Sequence, residues 1–264
     1  MIVGSINENK TTEKRVAITP DNVKKFVSSG FKVYLEKNYA THLDLDDKNF
    51  IKNGAEFFDD KNKIINESNI LLQLNLPNDQ QLKNIKPDTN LVGIFDPTNN
   101  KSQITELAKK NVNIFSLELL PRITRAQSMD ILSSQANLAG YKAVVDAFSF
   151  FNKAIPMMMT AAGTIPAAKV LIVGAGVAGL QAIATAKRMG AIVFATDVRM
   201  ASKEQVESLG GKFLVVEGSE NLETKGGYAK ETSEDFKKKQ EELLIETLKK
   251  IDIVICTALI PGKK

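Results

Sequence analysis

Residues 170–179 read Val-Leu-Ile-Val-Gly-Ala-Gly-Val-Ala-Gly, and this stretch decides the fold. Its four leading apolar residues predict a buried β-strand, and the apolar positions of 177–189 predict a helix that ends before Gly190. The three glycines between them have the spacing Gly-x-Gly-x-x-Gly. A second apolar strand, 192–196, ends at Asp197. Strand, glycine turn, helix, strand and acid in this order predict a dinucleotide-binding Rossmann unit.

Each residue of this pattern has a physical task. Gly174 permits the tight turn, Gly176 lets a pyrophosphate approach the backbone, and Gly179 lets helix and strand pack closely. The helix N-terminus supplies unpaired N–H groups and a partial positive charge. Asp197 is predicted to accept hydrogen bonds from the adenosine ribose, and its charge repels a 2′-phosphate, which favours NAD over NADP. Arg199 is a mild signal in the opposite direction, because an arginine there can serve NADP.

Composition excludes several other classes of protein. The 264 residues carry 35 basic and 31 acidic side chains, a balance that gives no sign of a nucleic-acid partner. One cysteine and one histidine exclude a disulfide scaffold and a metal centre built on those residues, so no metal site is predicted. The N-terminus has no signal-peptide pattern. Only Lys169 separates two uncharged stretches, 154–168 and 170–186, and prolines and glycines interrupt them, so we expect a buried loop, strand and helix there and no membrane insertion.

The rest of the chain predicts an α/β protein with two Rossmann-like, doubly wound domains. Short apolar runs alternate with amphipathic ones before residue 120, which is typical of a parallel sheet. Residues 124–151 lack proline and predict one long helix joining the domains. We place the domains at residues 1–138 and 139–264 and predict that the second is truncated at its C-terminus. A polar stretch, 217–233, predicts a long loop of the kind that is either functional or disordered.

The reaction is not determined by these patterns. Oxidation of an alcohol or amine needs a positioned base, and the single histidine, His42, lies in a polar stretch that predicts a solvated surface residue. Hydride exchange between two nicotinamides needs no proton transfer, only two rings held close together. A dense polar run at 122–137 is either a solvated helix start or a constituent of a site.

Several segments together resemble the alanine dehydrogenase/nicotinamide nucleotide transhydrogenase family. They are residues 12–20 (Thr-Glu-Lys-Arg-Val-Ala-Ile-Thr-Pro), 125–144 (beginning Arg-Ala-Gln-Ser-Met-Asp) and 157–199 with the glycine turn. Residues 226–231 (Gly-Gly-Tyr-Ala-Lys-Glu) and 257–262 (Thr-Ala-Leu-Ile-Pro-Gly) resemble the transhydrogenase branch in particular. The resemblance runs from end to end.

This resemblance implies an NAD(H)-binding component of a proton-translocating transhydrogenase. NADH bound here would pass hydride to NADP⁺ on a separate NADP(H)-binding component. A membrane-spanning component would couple that transfer to proton translocation, with NADPH as the main product. The resemblance also implies a homodimer that lies on the cytoplasmic face of the inner membrane through its partners.

The resemblance also assigns residues to roles. Nicotinamide and its ribose would be oriented by four residues: Arg122, Gln127, Asp130 and Ser133. Gln127 would lie nearest the partner's nucleotide. The adenosine would be flanked by Val177, Asp197, Val198 and Arg199, beside Gly174, Gly176 and Gly179. Gly227 and Tyr228 match a mobile loop that closes over the nucleotide, and Gln240 and Leu259 match further contact positions.

Two alternatives remain. The first is an alanine-dehydrogenase-like oxidoreductase acting alone. Its family members bind pyruvate with an arginine and a lysine and use a catalytic histidine; here Arg15 matches, Gln73 replaces the lysine, and Asp96 and proline stand where the histidine is expected. Arg15 is therefore expected to have a structural role. The second alternative is a module that binds NADH without catalysing a reaction.

Overall fold

The computed structural model describes residues 1–121, 123–216 and 234–258, without the side chains of Asp235 and Phe236. Contacts between residues divide the chain into two compact units, Met1–Asp130 and Ile131–Lys264. Each unit contains a parallel sheet with helical crossovers, so the predicted α/β class with two doubly wound units is confirmed.

The first unit contains a sheet of six strands. The strands are β1 (Ile2–Ser5), β2 (Lys32–Glu36), β3 (Ala55–Phe58), β4 (Ile70–Leu72), β5 (Asn90–Gly93) and β6 (Asn113–Ser116). The helices are α1 (Pro20–Ser28), α2 (Asp47–Ile51), α3 (Lys61–Glu67), α4 (Asp79–Lys83) and α5 (Lys101–Lys109). Short 3-10 helices cover Thr41–Leu43, Leu117–Leu119 and Thr124–Met129. The strand order β3-β2-β1-β4-β5-β6, all parallel, is that of a complete dinucleotide-binding fold.

The second unit repeats the beginning of that order. Its elements are α6 (Ile131–Phe150), β7 (Met158–Thr160), β8 (Gly163–Ile165), β9 (Lys169–Val173), α7 (Val177–Arg188), β10 (Ile192–Thr196), α8 (Ser202–Ser208), β11 (Lys212–Phe213), α9 (Glu234–Leu248) and β12 (Ile253–Cys256). The sheet runs β11-β10-β9-β12 with all pairs parallel. The chain therefore changes winding direction between β9 and β12, where ligands bind in such sheets.

Packing of α6 on α7 forms much of the second unit's core. Val144 and Phe148 of α6 join Val170, Ile172 and Ile183 in one buried cluster. The two helices come very close at Gly140, where an added Cβ would lie 2.0 Å from the carbonyl oxygen of Ala178. Only glycine permits this approach, which explains the single glycine in the predicted long helix.

The prediction of one helix over residues 124–151 is wrong. The segment is a 3-10 helix, Thr124–Met129, followed by a break at Asp130 (φ −74°, ψ 87°) and then by α6. Aspartate competes with the backbone for hydrogen bonds and favours the position before a helix, which is where Asp130 lies. By its contacts α6 belongs to the second unit alone.

The prediction of a buried loop before β9 is also wrong. Residues 158–165 form an exposed antiparallel hairpin, β7–β8, and Met159 is 83% exposed. The lack of charged residues did not predict burial here, because a two-stranded hairpin has no second layer of its own to cover its apolar side chains. Within the described ranges, no helix is both long and apolar enough to cross a bilayer.

Candidate dinucleotide site

The glycine turn lies at the carboxyl end of β9, and its backbone is held on two sides. Gly174 has φ +94°, a conformation that favours glycine. Its N–H donates to the carbonyl of Thr196 at 2.8 Å, which ties the turn to the end of β10. Its carbonyl accepts from Thr257 Oγ1 at 2.8 Å, which ties it to the end of β12. The turn is therefore fixed from both neighbouring strands.

Gly179 and Gly176 have different surroundings. A Cβ on Gly179 would lie 1.9 Å from the carbonyl oxygen of Gly174, so this glycine is required for packing between α7 and the turn. A Cβ on Gly176 would meet only Arg199 Nη2, at 3.9 Å. Gly176 is also the residue that precedes α7, and without a side chain it cannot cap the helix. The open space and uncapped helix N-terminus fit the pyrophosphate of a dinucleotide.

Asp197 follows β10 and turns its carboxylate back to the glycine turn. Oδ2 accepts the N–H of Ala175 at 2.7 Å. Arg199 donates to the same carboxylate from its backbone N–H at 2.8 Å, from Nε at 2.9 Å and from Nη2 at 3.0 Å. The carboxylate thus links the turn to the chain beyond β10.

The electrostatics keep this carboxylate ionised. Its side chain is only 7% exposed, and burial by itself raises the pKa of Asp197. Hydrogen bonds from the side chain and backbone of Arg199 and from Ala175 outweigh burial, so the pKa of Asp197 lies below its ordinary value. The turn therefore has an ionised, buried carboxylate beside it, and this charge would repel a phosphate group placed against it.

The remaining adenosine-side residues are partly described. Val177 is the first residue of α7 and is partly exposed beside the turn, and Val198 is half-buried between Asp197 and Arg199. Gln240 is half-buried on α9. Gly227, Tyr228 and Leu259 lie outside the described residues, as does the polar stretch 217–233.

The nicotinamide-side residues fall in both units. Gln127 and Asp130 line a cavity of about 260 Å³ in the first unit, together with Pro121, Ile123, Thr124 and Ala126. Gln127 is exposed and Asp130 is half-buried. Ser133 is half-buried in the first turn of α6, in the second unit. Arg122 lies outside the described residues.

A separate polar cluster lies where β1 and β4 end, at the winding reversal of the first sheet. The amide of Gln73 is buried; its Oε1 accepts from the N–H of Ile6 at 2.7 Å, and its Nε2 donates to Glu8 at 3.1 Å. Arg15 forms a fork with Glu13, from Nε at 2.9 Å and from Nη2 at 2.7 Å. Hydrogen bonding to Arg15 lowers the pKa of Glu13 to about 2. The polar groups of Gln73 and Arg15 are therefore bonded to neighbouring acidic side chains, Glu8 and Glu13 respectively.

Sequence reasoning missed two members of the dinucleotide site. Ala175 contributes only a backbone N–H, which no side-chain pattern reveals. Thr257 was visible as a hydroxyl residue following a strand at the winding reversal, and that signal was sufficient to mark it. One further expectation needs correction: His42 is half-buried rather than fully solvated, and its Nε2 bonds to the carbonyl of Lys14 at 2.8 Å. Cys256, at the end of β12, is exposed.

The strand order, the glycine turn and Asp197 define a Rossmann-type dinucleotide-binding protein. Family profiles then identify the branch of that class. Residues 4–139 match the N-terminal domain of "Alanine dehydrogenase/PNT", and residues 143–264 match the C-terminal domain. The chain belongs to the alanine dehydrogenase/PNT family.

Individual relatives agree with this assignment. An NAD(P) transhydrogenase alpha-subunit protein of Rhodospirillum rubrum is 48% identical over 97% of this chain and 68% of its own length. The protein of the same name from Rickettsia prowazekii is 45% identical over 100% of this chain and 70% of its own. The crystal structure of transhydrogenase from Sinorhizobium meliloti superimposes with a TM-score of 0.86 at 43% identity, covering 100% of this chain and 71% of that one.

Proposed function

We propose that this chain is the NAD(H)-binding component of a proton-translocating NAD(P) transhydrogenase. The observation that carries the proposal is the buried carboxylate of Asp197 beside the glycine turn, in a chain nearly half identical to a transhydrogenase subunit. Bound NADH would supply a hydride and its two electrons to NADP⁺ held by a separate component. No proton leaves or enters this chain in that exchange, so no general base is required of it.

The residues of the second unit would select and hold the adenosine half. The ionised Asp197 would accept hydrogen bonds from the ribose and repel a 2′-phosphate, which favours NAD(H) over NADP(H). The N–H groups at the start of α7 would receive the pyrophosphate beside Gly176. Val177, Val198 and Gln240 are proposed as further nucleotide contacts.

Residues of the polar run 122–133 would orient the nicotinamide half. Gln127 and Asp130 line a cavity, and the exposed position of Gln127 suits a side chain that faces a nucleotide on another protein. Ser133 and Arg122 are proposed to complete this set. Their task is to align two rings, which is where the catalytic advantage of such an exchange arises.

The loop residues Gly227 and Tyr228 are proposed to close over bound nucleotide, and Leu259 is proposed as a further contact. Replacing Tyr228 by alanine should then speed the release of NADH measured by stopped-flow fluorescence. An unchanged release rate would exclude Tyr228 from that role.

An alanine dehydrogenase acting alone fits the first unit poorly. The positions that match its substrate arginine and lysine are Arg15, which forks with Glu13, and Gln73, whose buried amide bonds to Ile6 and Glu8. Neither group is arranged to receive a keto acid. Asp96, where the family's histidine is expected, has φ +43° and holds Asn99 through its carboxylate.

Hydride transfer tests the proposal against both alternatives. The protein is mixed with an NADP-binding transhydrogenase component, and transfer from NADH to an NADP⁺ analogue with a shifted absorbance is followed. The proposal expects transfer that needs both proteins. Oxidation of NADH that depends on pyruvate and ammonium would establish the dehydrogenase instead, and binding of NADH without either reaction would establish a non-catalytic module.

A matched pair of variants sharpens this experiment. Gln127→Ala should slow transfer by about tenfold or more, because misaligned rings lose much of the benefit of proximity. Gln80→Ala removes an exposed glutamine of α4 and should leave the rate unchanged. Equal rates in the two variants would remove Gln127 from the transfer site.

We also propose that two copies associate and lie on a membrane-spanning partner at the cytoplasmic face. The hairpin β7–β8 supports self-association, because Met158 and Met159 are 47% and 83% exposed on a two-stranded sheet that is marginal by itself. Met159→Glu should shift the sedimentation coefficient to that of a monomer, whereas Met189→Glu, at an exposed methionine after α7, should not. A monomeric wild type, or a dimer unaffected by Met159→Glu, would contradict this.

A further inference from the structure

The carboxylate of Asp197 has no acceptor position left for a ribose. It receives four N–H donors: Ala175 N, Arg199 N, Arg199 Nε and Arg199 Nη2, all between 2.7 and 3.0 Å. An ionised carboxylate offers about four lone-pair sites. Each ribose hydroxyl that donates to Asp197 must therefore replace a donor that is already present.

The two replaceable donors belong to the Arg199 side chain. The N–H of Ala175 is part of the glycine turn, and the N–H of Arg199 is only two residues from Asp197 along the backbone. The guanidinium, in contrast, is at the end of a flexible stem, and its side chain is 19% exposed against 7% for Asp197. Nε and Nη2 are two donors, and the vicinal diol of the ribose has two hydroxyls.

The released guanidinium would remain beside the place where phosphates are expected. Arg199 Nη2 lies 3.9 Å from the position of a Cβ on Gly176, on the open side of the glycine turn. An arginine fork binds phosphate oxygens as well as it binds a carboxylate. The same cation can therefore serve Asp197 in the free protein and the pyrophosphate in the complex.

We propose that Asp197 and Arg199 form an exchange pair. The adenosine ribose displaces the Arg199 side chain from Asp197, and the displaced guanidinium binds the pyrophosphate. This inference rests on the proposed function, since it describes how NAD(H) enters the same site. Its consequence is that the ribose and the pyrophosphate are recognised together. A nucleoside without phosphate must break the Asp197–Arg199 ion pair, and it has no phosphate to bind the displaced guanidinium.

Adenosine and ADP-ribose separate the two halves of the exchange. Both are titrated by NMR into the wild type and into Arg199→Met, which keeps an unbranched side chain and removes the donors. Adenosine should bind several-fold more tightly to Arg199→Met, because the competing donors are gone. ADP-ribose should bind about tenfold more weakly, because the charged contact to phosphate is lost. Arg188→Met, at the exposed end of α7, is the control and should change neither affinity.

The outcomes keep this inference separate from the proposed function. If Arg199→Met weakens adenosine and ADP-ribose by the same factor, Arg199 is a fixed support of Asp197 and the exchange is wrong. If Asp197→Asn binds both ligands as the wild type does, the ribose role itself is wrong. Arg199→Lys is the second variant, in case the methionine variant fails to fold. It keeps the positive charge but not the two-pronged guanidinium. Adenosine should therefore bind more tightly than to the wild type, and ADP-ribose should lose less affinity than in Arg199→Met. An adenosine affinity unchanged in Arg199→Lys would also exclude the exchange.

Discussion

Alanine substitutions at Gly179 and Gly176 should affect different properties, stability for the first and NADH affinity for the second, although the two residues are only three positions apart. A Cβ at Gly179 would lie 1.9 Å from the carbonyl oxygen of Gly174 and 2.9 Å from Thr257 Oγ1. To reach even a 3.0 Å contact the turn must move by about 1.1 Å, and overpacking of this kind costs roughly 1–3 kcal/mol. Gly174 cannot move freely, because its N–H and carbonyl are both hydrogen-bonded at 2.8 Å.

These contributions give the expected size of the effect. Weakening the two hydrogen bonds of Gly174 adds about 1–2 kcal/mol, and the better helix propensity of alanine returns about 0.5–1 kcal/mol. The Gly179→Ala protein should therefore lose about 2–3 kcal/mol of unfolding free energy. At about 3 °C per kcal/mol for a protein of this size, the midpoint of thermal unfolding should fall by roughly 6–9 °C.

The Gly176→Ala protein should instead remain stable and lose affinity for NADH. Its φ of −77° is available to alanine, and the new methyl group meets only Arg199 Nη2 at 3.9 Å. The unfolding free energy should change by less than about 0.5 kcal/mol. NADH affinity, measured by nucleotide fluorescence, should fall by about tenfold or more, because the methyl group occupies the approach of the pyrophosphate.

Thermal unfolding followed by circular dichroism, together with NADH titrations of both variants, tests these two expectations. If Gly179→Ala melts with the wild type, the turn is more compliant than its hydrogen bonds indicate. If Gly176→Ala is destabilised as much as Gly179→Ala, or binds NADH normally, the division between a packing glycine and a ligand glycine would be refuted.

Three further predictions concern hydrogen bonds away from the ribose. Thr257→Val removes the donor to the Gly174 carbonyl and should cost about 1 kcal/mol in urea unfolding, and an unchanged midpoint would exclude that support of the turn. Gln73→Leu leaves buried polar partners unsatisfied and should cost about 1–3 kcal/mol, whereas a stabilised variant would show that the cluster is not needed for folding. Because the folded-state pKa of Glu13 is lowered from 4.5 to about 2, its pairing with Arg15 stabilises the fold above pH 4.5, and that stability is lost as the pH falls towards 2. Glu13→Gln should therefore flatten the acid limb of a stability–pH curve, and an unchanged limb would assign acid unfolding to other groups.

The local sequence pattern is sufficient to predict a structural element where the physical cause of that element is also local. The start of α1 was predictable because Thr19 caps it, accepting from the N–H of Asn22, and proline follows as the first helical residue. The strand β10 was predicted with its observed bounds, Ile192–Thr196, from an apolar run between Gly190 and Asp197. In each case the determining residues lie within a few positions of one another.

Pattern failed where a residue's environment is set by distant regions of the chain. Composition predicts burial of the apolar segment before β9, yet β7–β8 is exposed because no other described element covers it within its unit. The other wrong expectation has a local cause: the helix predicted over residues 124–151 breaks at Asp130, because aspartate favours the position before a helix over its interior.

The sequence by itself determined the glycine turn and the acid of the dinucleotide site, because their spacing along one strand–turn–helix–strand segment fixes their relation. Only the tertiary structure decided what those groups do before a ligand arrives. Asp197 has its four acceptor positions filled by Arg199 and the turn, and Thr257 reaches the turn from 83 residues away. Hydrogen-bond partners across a sheet follow from which strands are neighbours, and strand order is not written in any local stretch of residues.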